Sequence, residues 1–495
     1  MNGPSSLAPR RIAKTKAMSA FRHRNFRLFF GGQAISLVGT WMQQVAQAWL
    51  VLTVSGGDPL WLGVVAAAQF LPVMVLGLFA GVLADVLPKR QTLLAVQVVM
   101  MILAAVLAVL VATGLVQIWM IVLMAVLLGC ANAVDMPVRQ SFAYEMVGPK
   151  DVGNAVSINS AMFNGARVLG PAVAGLTIGA FGIAIAFAIN AASFLAVIVG
   201  LLAMRDDELQ RARLVPRPQS VGEVFENLAE GLRFVRHTPI VLMAVVVVGL
   251  VATFGMNFSV LIPPLAQEVL SSDAAGYGFL MTASGLGALV AAVALVIGGK
   301  PRAGRIAMGA IVLGVASVLL AVSTSYPISL LLMVPIGAGG IAMAATANAT
   351  IQLAVPDGLR GRVMSVYTTV FASSVPIGGI ATGALASVVG IPMTIAVGGL
   401  LSLAVGGGAY VWWRRITHAR MADAARTADS TVAPQTVAAP AAIRTAAAGP
   451  MAVEAAAETP VGDALSPGSI RQSTAPKTNA AFKPPNPNEV LSTRR

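Results

Sequence analysis

Charge is scarce in this chain. Of its 495 residues only 11% are Asp, Glu, Lys or Arg, against 57% hydrophobic residues and a mean hydropathy of +0.81. A soluble domain carries roughly 25% charged residues. The shortage excludes water as the solvent for most of the sequence and implies lipid. Cysteine is almost absent. The single Cys130 excludes an internal disulfide framework and a cysteine-rich metal site. The three histidines, His23, His237 and His418, are scattered outside the apolar runs and leave neither a zinc site nor a catalytic triad to assemble. No G-x-x-x-x-G-K-[ST] phosphate loop occurs, and Gly298-Gly299-Lys300-Pro301 does not fit it. These absences point away from an enzyme and imply no metal and no cofactor. The first 27 residues hold no apolar core ahead of the first long run, so no cleaved signal peptide is expected.

Long apolar runs are what the chain does have. Runs of about 20 residues suit membrane helices, and twelve are expected: 27–53, 60–84, 91–113, 117–137, 154–180, 182–204, 240–266, 275–299, 304–323, 326–350, 363–388 and 390–413. The connections between them alternate. Those after odd-numbered spans carry no Lys or Arg. The segment before the first span, the even-numbered connections and the tail hold 32 of the chain's 33 basic residues. The positive-inside rule then places both termini and the even connections in the cytoplasm. The net charge of +13 is therefore a topology signal rather than a nucleic-acid surface. The expected organisation is a cytoplasmic segment 1–26, a six-helix bundle 27–204, a cytoplasmic connection 205–239, a second bundle 240–413 and a disordered cytoplasmic tail 414–495. In the connection, Val224, Leu228, Leu232 and Val235 fall near one face of an amphipathic surface helix.

The halves echo each other. At an offset of 208, Gly170 meets Gly378, Gly175 meets Gly383 and Gly182 meets Gly390; at 215, Gly63 meets Gly278 and Arg90 meets Arg305. Six spans plus six, split by a cytoplasmic connection, is a common secondary-transporter plan, with a substrate site near the midplane between the halves.

Residues 81–90, GVLADVLPKR, resemble the loop signature of the major facilitator superfamily, G-x-L-A-D-R-x-G-R-R. Gly81, Leu83, Ala84, Asp85, Lys89 and Arg90 match, while Val86 replaces the usual arginine and Pro88 the usual glycine. GARVLGPAVAG in the fifth span resembles the Gly-Pro motif of exporting antiporters. RNFRLFFGGQAISLVGTWM, DMPVRQSFAYEMV and NAVSINSAMFNGARVLGPAVAG resemble the branch that includes the enterobactin exporters, the transmembrane secretion effectors. The resemblance covers residues 20–413. It implies an all-α membrane protein of the major facilitator fold in a bacterial-type cytoplasmic membrane, exporting a small molecule such as a drug, siderophore or metabolite by proton antiport. It also implies that Asp85, Lys89 and Arg90 form a gating lock, although a loop that only sets topology fits the same residues.

Within the spans, polar residues are few and patterned. Gln33, Ser36, Thr40, Gln43, Gln44 and Gln47 fall within about a 100° arc of the first helix. In lipid such a stripe lines a cavity or joins helices. Ser157, Ser160, Asn164, Arg167 and Pro171 form a similar stripe in the fifth span. Arg167 is the one basic residue outside the cytoplasmic segments. It lies on the order of 20 Å along its helix, past the midplane of a ~30 Å core, where an arginine costs about 2.5–3.5 kcal/mol by insertion scales. Two roles remain open for it: a ligand for an anionic or carbonyl-rich substrate, with Gln43, Gln44 or Gln47 sharing the site, or a structural bond to helix carbonyls. Asn257, Asn348 and Thr368 are the polar candidates of the second half. Asp135 is the acid nearest the bilayer interior and the candidate proton carrier, in reach of Arg139 four residues on. Glu145 is the second candidate. Small residues at 166, 170 and 174 with Pro171 suit a helix that slides or bends, which makes Gly170 and Pro171 gating candidates. Export, uniport or import, and a receptor or scaffold working through the tail are the readings this pattern allows.

Overall fold

In lipid a backbone must satisfy its own hydrogen bonds, and an apolar run does so by coiling. Every regular element among the described residues is accordingly helical. The computed structural model describes residues 18–210, 221–299 and 301–431, and not the side chains of 77–86, 221, 223–225, 227, 416 and 418–431. The helices are α1 (Arg24–Val54), α2 (Pro59–Val86) and α3 (Lys89–Ala112), followed by a 64-residue helical stretch, Ile118–Phe181. That stretch would run about 96 Å at 1.5 Å per residue, far more than one ~30 Å crossing. It breaks at Gly148, whose φ of 69° is open to glycine and costly for other residues. We label its limbs α4 (118–147) and α5 (149–181). There follow α6 (Ile183–Leu202), an amphipathic helix Val221–His237, α7 (Pro239–Val269), α8 (Ala274–Ile297), α9 (Gly304–Val322), α10 (Tyr326–Ala354), α11 (Asp357–Val389) and α12 (Ile391–Thr431).

Ten helices among the described residues are long and apolar enough to cross a membrane. The chain is a multi-pass helical membrane protein. Helix α1 is not among the ten, because Gln33, Gln43, Gln44 and Gln47 hold its hydropathy down. Helix α7 is interrupted. The helix stops at Gly255, restarts at Phe258 and ends in a π-helical turn, Leu265–Val269. The uniform span expected over 240–266 therefore carries a break at Met256-Asn257, and the restarted helix ends on two prolines, Pro263 and Pro264, that lack amide protons. Helix α12 continues to Thr431, past the expected end of its span at 413. The remaining tail, 432–495, lies outside the described residues.

Packing divides along the chain. Helices α1 to α6 pack mainly among themselves, as do α7 to α12, and two seams join the halves: α2 against α11 and α5 against α8. Both seams are made where glycines let backbones touch. Gly63 lies against the backbone of Gly379, and Gly383 against Pro59 and Leu60. Gly175 meets Ala275 and Gly278, and Gly285 meets the backbone of Arg167 and Val168. Toward the start of α5 and α11 the same helices lose this cover: Val156, Phe163, Thr368 and Phe371 are exposed. The halves thus touch at one end and part at the other.

The amphipathic helix docks on α11. Gly231 lies against the Arg362 carbonyl, Glu230 pairs with Arg362, Val235 is buried and Leu228 packs beside it. Leu232, expected on the same face, is exposed. The packed face is 228, 231 and 235, and the glycine fixes it by close approach.

Candidate functional site

Polar side chains collect in two places. The first is the end of the α1–α6 half that holds the α2–α3 turn. Lys89, at the start of α3, sets its Nζ 2.5 Å from Glu145 Oε1 near the end of α4. Arg90 donates to the carbonyls of Leu201 (2.8 Å) and Leu202 (3.0 Å) and pairs with Asp206 Oδ1 at 2.6 Å. Those carbonyls belong to the last turn of α6, where no helical donor remains. The positive charge also opposes the negative end of that helix. Pro88, Lys89, Arg90, Phe142, Glu145 and Leu209 are among the residues that line a 510 Å³ cleft here.

The same end is tied to the chain before α1. Asn25 and the backbone of Arg205 exchange two hydrogen bonds (2.8 and 3.1 Å), and Asn154 Oδ1 accepts from the Ala20 amide at 3.0 Å. His23 Nε2 meets Asp151 Oδ2 at 2.9 Å. Hydrogen bonds from the side chains of Ser19 and His23 hold the Asp151 carboxyl below its ordinary value of 3.8.

Asp135 sits about 15 Å further up α4 than Glu145. It is fully buried, ion-paired with Arg139, and accepts from Gln97 Nε2 of α3 at 3.0 Å. Sequence spacing anticipated the pair with Arg139. It missed Gln97, for which the available signal was an amide in an otherwise apolar stretch of α3. The structure brings Lys89, Arg90 and Glu145 together in one cleft and leaves Asp135 apart from them. Asp85 lies near the end of α2, and its side chain is outside the described residues.

The second place is around Arg167. Its guanidinium carbon stands 5.9 Å from the Trp41 ring centroid, within cation–π range. Trp41 in turn meets Phe163 edge-on at 5.5 Å. No carboxylate and no hydrogen-bond acceptor among the described residues partners the Arg167 side chain; its one close contact there is the Trp41 ring. Gly170 explains the placement. A Cβ there would collide with the Trp41 side chain and crowd Val38 O and Met42 N at 3.1 and 3.2 Å, so α5 lies directly on α1. The neighbouring Pro171 sets its carbonyl against Gly278 of α8. The Gly-Pro pair therefore faces α1 with one residue and the other half with the next.

Of the α1 glutamines expected to share the site with Arg167, Gln43 has another partner. Gln43 is buried and accepts from Asn190 of α6, beside Ser193 and Gly39. Gln33 and Gln47 are buried too, Thr40 donates to the Ser36 carbonyl at 2.9 Å, and Gln44 is exposed. Helix α6 supplies the competing partner, which turns Gln43 away from α5. The residue that meets Arg167 is Trp41. A half-buried tryptophan in the middle of a span, away from the interfaces where it is usually enriched, was the overlooked signal.

The other candidates are dispersed. Asn164 donates to the Ser160 carbonyl at 2.8 Å. Asn257 caps the restart of α7, is buried, and donates to the Thr253 carbonyl at 2.5 Å, with Gly378 of α11 packed on it. Asn348 accepts from Gln352 at 2.5 Å, and Thr368 is exposed.

Two groups of membrane helices, joined at one end and parted at the other, with a cation at the join that no carboxylate among the described residues neutralises, have the arrangement of a transporter. The sequence matches the transmembrane secretion effector family over residues 15–454. The chain belongs to that family of the major facilitator superfamily. It is 30% identical over 360 residues to the multidrug efflux pump Tap of Mycolicibacterium fortuitum, covering 71% of this chain and 86% of that protein. It is 25% identical over 386 residues to the staphyloferrin A transporter of Staphylococcus aureus, covering 77% and 94%. Among solved structures, a peptide-transporter (POT) family member in complex with 5-aminolevulinic acid superposes with a TM-score of 0.65 at 13% identity, covering 80% of this chain and 97% of that one. A bacterial homologue of the lysosomal transporter Spinster, inward-facing and occupied, gives 0.63 at 12% identity over 79% and 97%. These structural likenesses concern the fold.

Proposed function

We propose that the chain exports a small molecule across a bacterial-type cytoplasmic membrane by alternating access, driven by proton antiport. The multidrug efflux pump among its relatives supports the direction, and that pump together with the staphyloferrin A transporter supports a small-molecule cargo. In this reading the protein crosses twelve times as two six-helix repeats with both termini cytoplasmic. The one-sided basic residues support the sidedness. The shared backbone of Gly182 (φ 84°) and Gly390 (φ 86°), 208 residues apart and each opening a helix, supports the repeat.

The observation that carries the proposal is Arg167. A permanent charge at the join of two parted halves needs water or a counter-charge, and among the described residues neither an acid nor a carbonyl supplies one. The substrate supplies it, through an anionic or carbonyl-rich group laid against the Arg167–Trp41 pair. Gln44, Asn164 and Thr368 are the further polar contacts, with Asn257 and Asn348 on the second half. Gln33, Thr40, Gln43 and Gln47 hold α1 in place beneath them. Asp135 carries the coupling proton, with Glu145 as the second carrier; each gives up its basic partner, Arg139 or Lys89, when protonated. Asp85, Lys89 and Arg90 lock the parted state, and Gly170 with Pro171 lets α5 tilt.

Everted membrane vesicles with a pH-sensitive dye test this. After energisation, a panel of drugs, siderophores and organic anions is added to wild type, Arg167→Ala and Asp135→Asn. The expected result is substrate-dependent release of the proton gradient in wild type, lost in Asp135→Asn, with Arg167→Ala failing for anionic compounds. Labelled compound moving with no proton flux would replace antiport by uniport. Inward accumulation in intact cells would reverse the direction. No movement of any compound, together with loss of function on truncation after Arg415, would replace transport by the scaffold reading.

A further inference from the structure

Helices α9 and α12 lie side by side through glycines: Gly314 meets the Gly399 carbonyl and Leu403, and Gly406 meets Ala310 and Ile311. Each carries an exposed apolar stripe. On α9 it is Met308, Val312, Val315, Leu319 and Val322; on α12 it is Met393, Val397, Leu400 and Val411. The steps of three, four and multiples of a turn put each set on one face, and such a face in a membrane protein is covered by acyl chains.

Both stripes end in arginine at the same end of the helix pair. Arg305 stands three residues before Met308, and Arg415 four residues after Val411, so both continue the lipid-facing stripes. Gly304 lies against the Trp413 indole, which brings the start of α9 to the end of the α12 stripe. Arg302 and Arg414 flank the same contact, Arg414 folded over the Tyr410 ring at 5.5 Å. Trp412 is exposed beside them. Among the described residues no carboxylate pairs with any of these four arginines; Arg305 makes one bond, to the Gly298 carbonyl at 3.3 Å. One turn above Val411, Gly407 and Gly408 leave open space where a side chain would stand.

We propose that Arg302, Arg305, Arg414 and Arg415, with Trp412 and Trp413, bind the headgroup of an anionic phospholipid whose acyl chains lie along α9 and α12. Guanidinium groups engage phosphate oxygens through paired N–H donors. Tryptophans suit the depth where headgroup meets chain, with an apolar body and a polar edge. The glycine pair gives an acyl chain a smooth track. The corresponding residues of the first half cannot do this: Lys89, Arg90 and Arg205 are already paired with Glu145, Asp206 and Glu208. The site depends neither on the direction of transport nor on its coupling.

Native mass spectrometry of the full chain tests it, with phosphatidylglycerol and phosphatidylcholine of identical acyl chains offered in equal amounts. Each arginine near an anionic headgroup is worth about fivefold in partition, so wild type is expected to retain phosphatidylglycerol at least about tenfold over phosphatidylcholine. The R302Q/R305Q/R414Q/R415Q variant is expected to fall to within about twofold of no preference. Arg415→Gln alone, at an exposed position that folding does not require, is expected to lose about fivefold. Arg360→Gln, which removes an arginine already paired with Asp357, is expected to keep the wild-type preference. Equal retention of both lipids by wild type, an undiminished preference in the quadruple or Arg415→Gln variant, or an equal loss in Arg360→Gln would each overturn the proposal.

Discussion

Each half of this transporter carries a basic pair at the start of its third helix, and the two halves dispose of it differently. In the first half, acids have been placed to meet it. Lys89 reaches Glu145, and Arg90 reaches Asp206 together with two end carbonyls of α6. In the second half, Arg302 and Arg305 face no carboxylate among the described residues, and only the Gly298 carbonyl receives a bond. The same residue type therefore does two kinds of work. Where a carboxylate faces it, the arginine clamps helices of its own half together. Where none does, its charge is left for the surroundings. The contrast reaches the interior: α4 buries Asp135 in an ion pair with the half-buried Arg139, while α10 buries the hydroxyls of Thr346 and Thr350 with no partner among the described residues.

The largest effect should come from breaking the buried pair. Asp135→Ala leaves the half-buried Arg139 uncompensated; removing one partner of a fully buried pair costs about 3–5 kcal/mol, which is the upper bound for this one. We expect a strongly lowered apparent Tm in detergent, with much of the loss recovered in the double variant Asp135→Leu/Arg139→Met. Thr346→Val in α10 should be neutral or mildly stabilising, since it removes a buried hydroxyl that has no partner to lose. A loss of equal size at both sites would erase the interior contrast.

A smaller effect separates the two basic turns. Arg90→Ala takes the side-chain donor from the Leu202 carbonyl and from Asp206 and leaves the Leu201 carbonyl only its long bond from the Met204 amide, which should cost about 1–2 kcal/mol. Arg305→Ala gives up one long bond at an exposed helix end and should cost under about 0.5 kcal/mol. Thermal unfolding of the two variants in a zwitterionic detergent checks this, because no anionic lipid is then present to hold Arg305.

The apolar runs made the helices readable, since their length and composition leave a chain in lipid few alternatives. The Asp135–Arg139 pair was readable because helical spacing alone sets it. What was not readable depended on neighbours distant in sequence. Gln43 and Trp41 share one helix, and similar depth in the membrane made Gln43, with Gln44 and Gln47, a candidate to share the Arg167 site. Asn190 of α6 claims Gln43 instead, and the absence of a side chain at Gly170 lets α5 settle onto Trp41. The break in α7 at Asn257 was hidden because a hydropathy window averages over two residues. The turn of Leu232 away from the docking face was hidden because Gly231, which carries no hydropathy signal, does the packing.

The smallest effect concerns the tie between the start of the chain and α5, which the first half builds from the same acid–base chemistry. Hydrogen bonds from Ser19 and His23 hold the folded Asp151 carboxyl below 3.8. A carboxyl with a depressed pKa contributes stability above its unfolded value, and that contribution is lost as pH falls through the folded pKa. The tie should therefore hold at neutral pH and loosen only on the acid side of about 4. The Ala20 amide, which donates to Asn154 in the same cluster, reports on it: its hydrogen-exchange protection should fall with acid in wild type. Asp151→Asn should show weaker protection at neutral pH and remove this part of the acid dependence. His23→Gln, which takes away the imidazole donor, should move the loss to higher pH, because the carboxyl then returns toward its ordinary value. If protection at Ala20 followed the same acid curve in wild type and Asp151→Asn, the tie would not be electrostatic, and Asn154 alone would hold the segment.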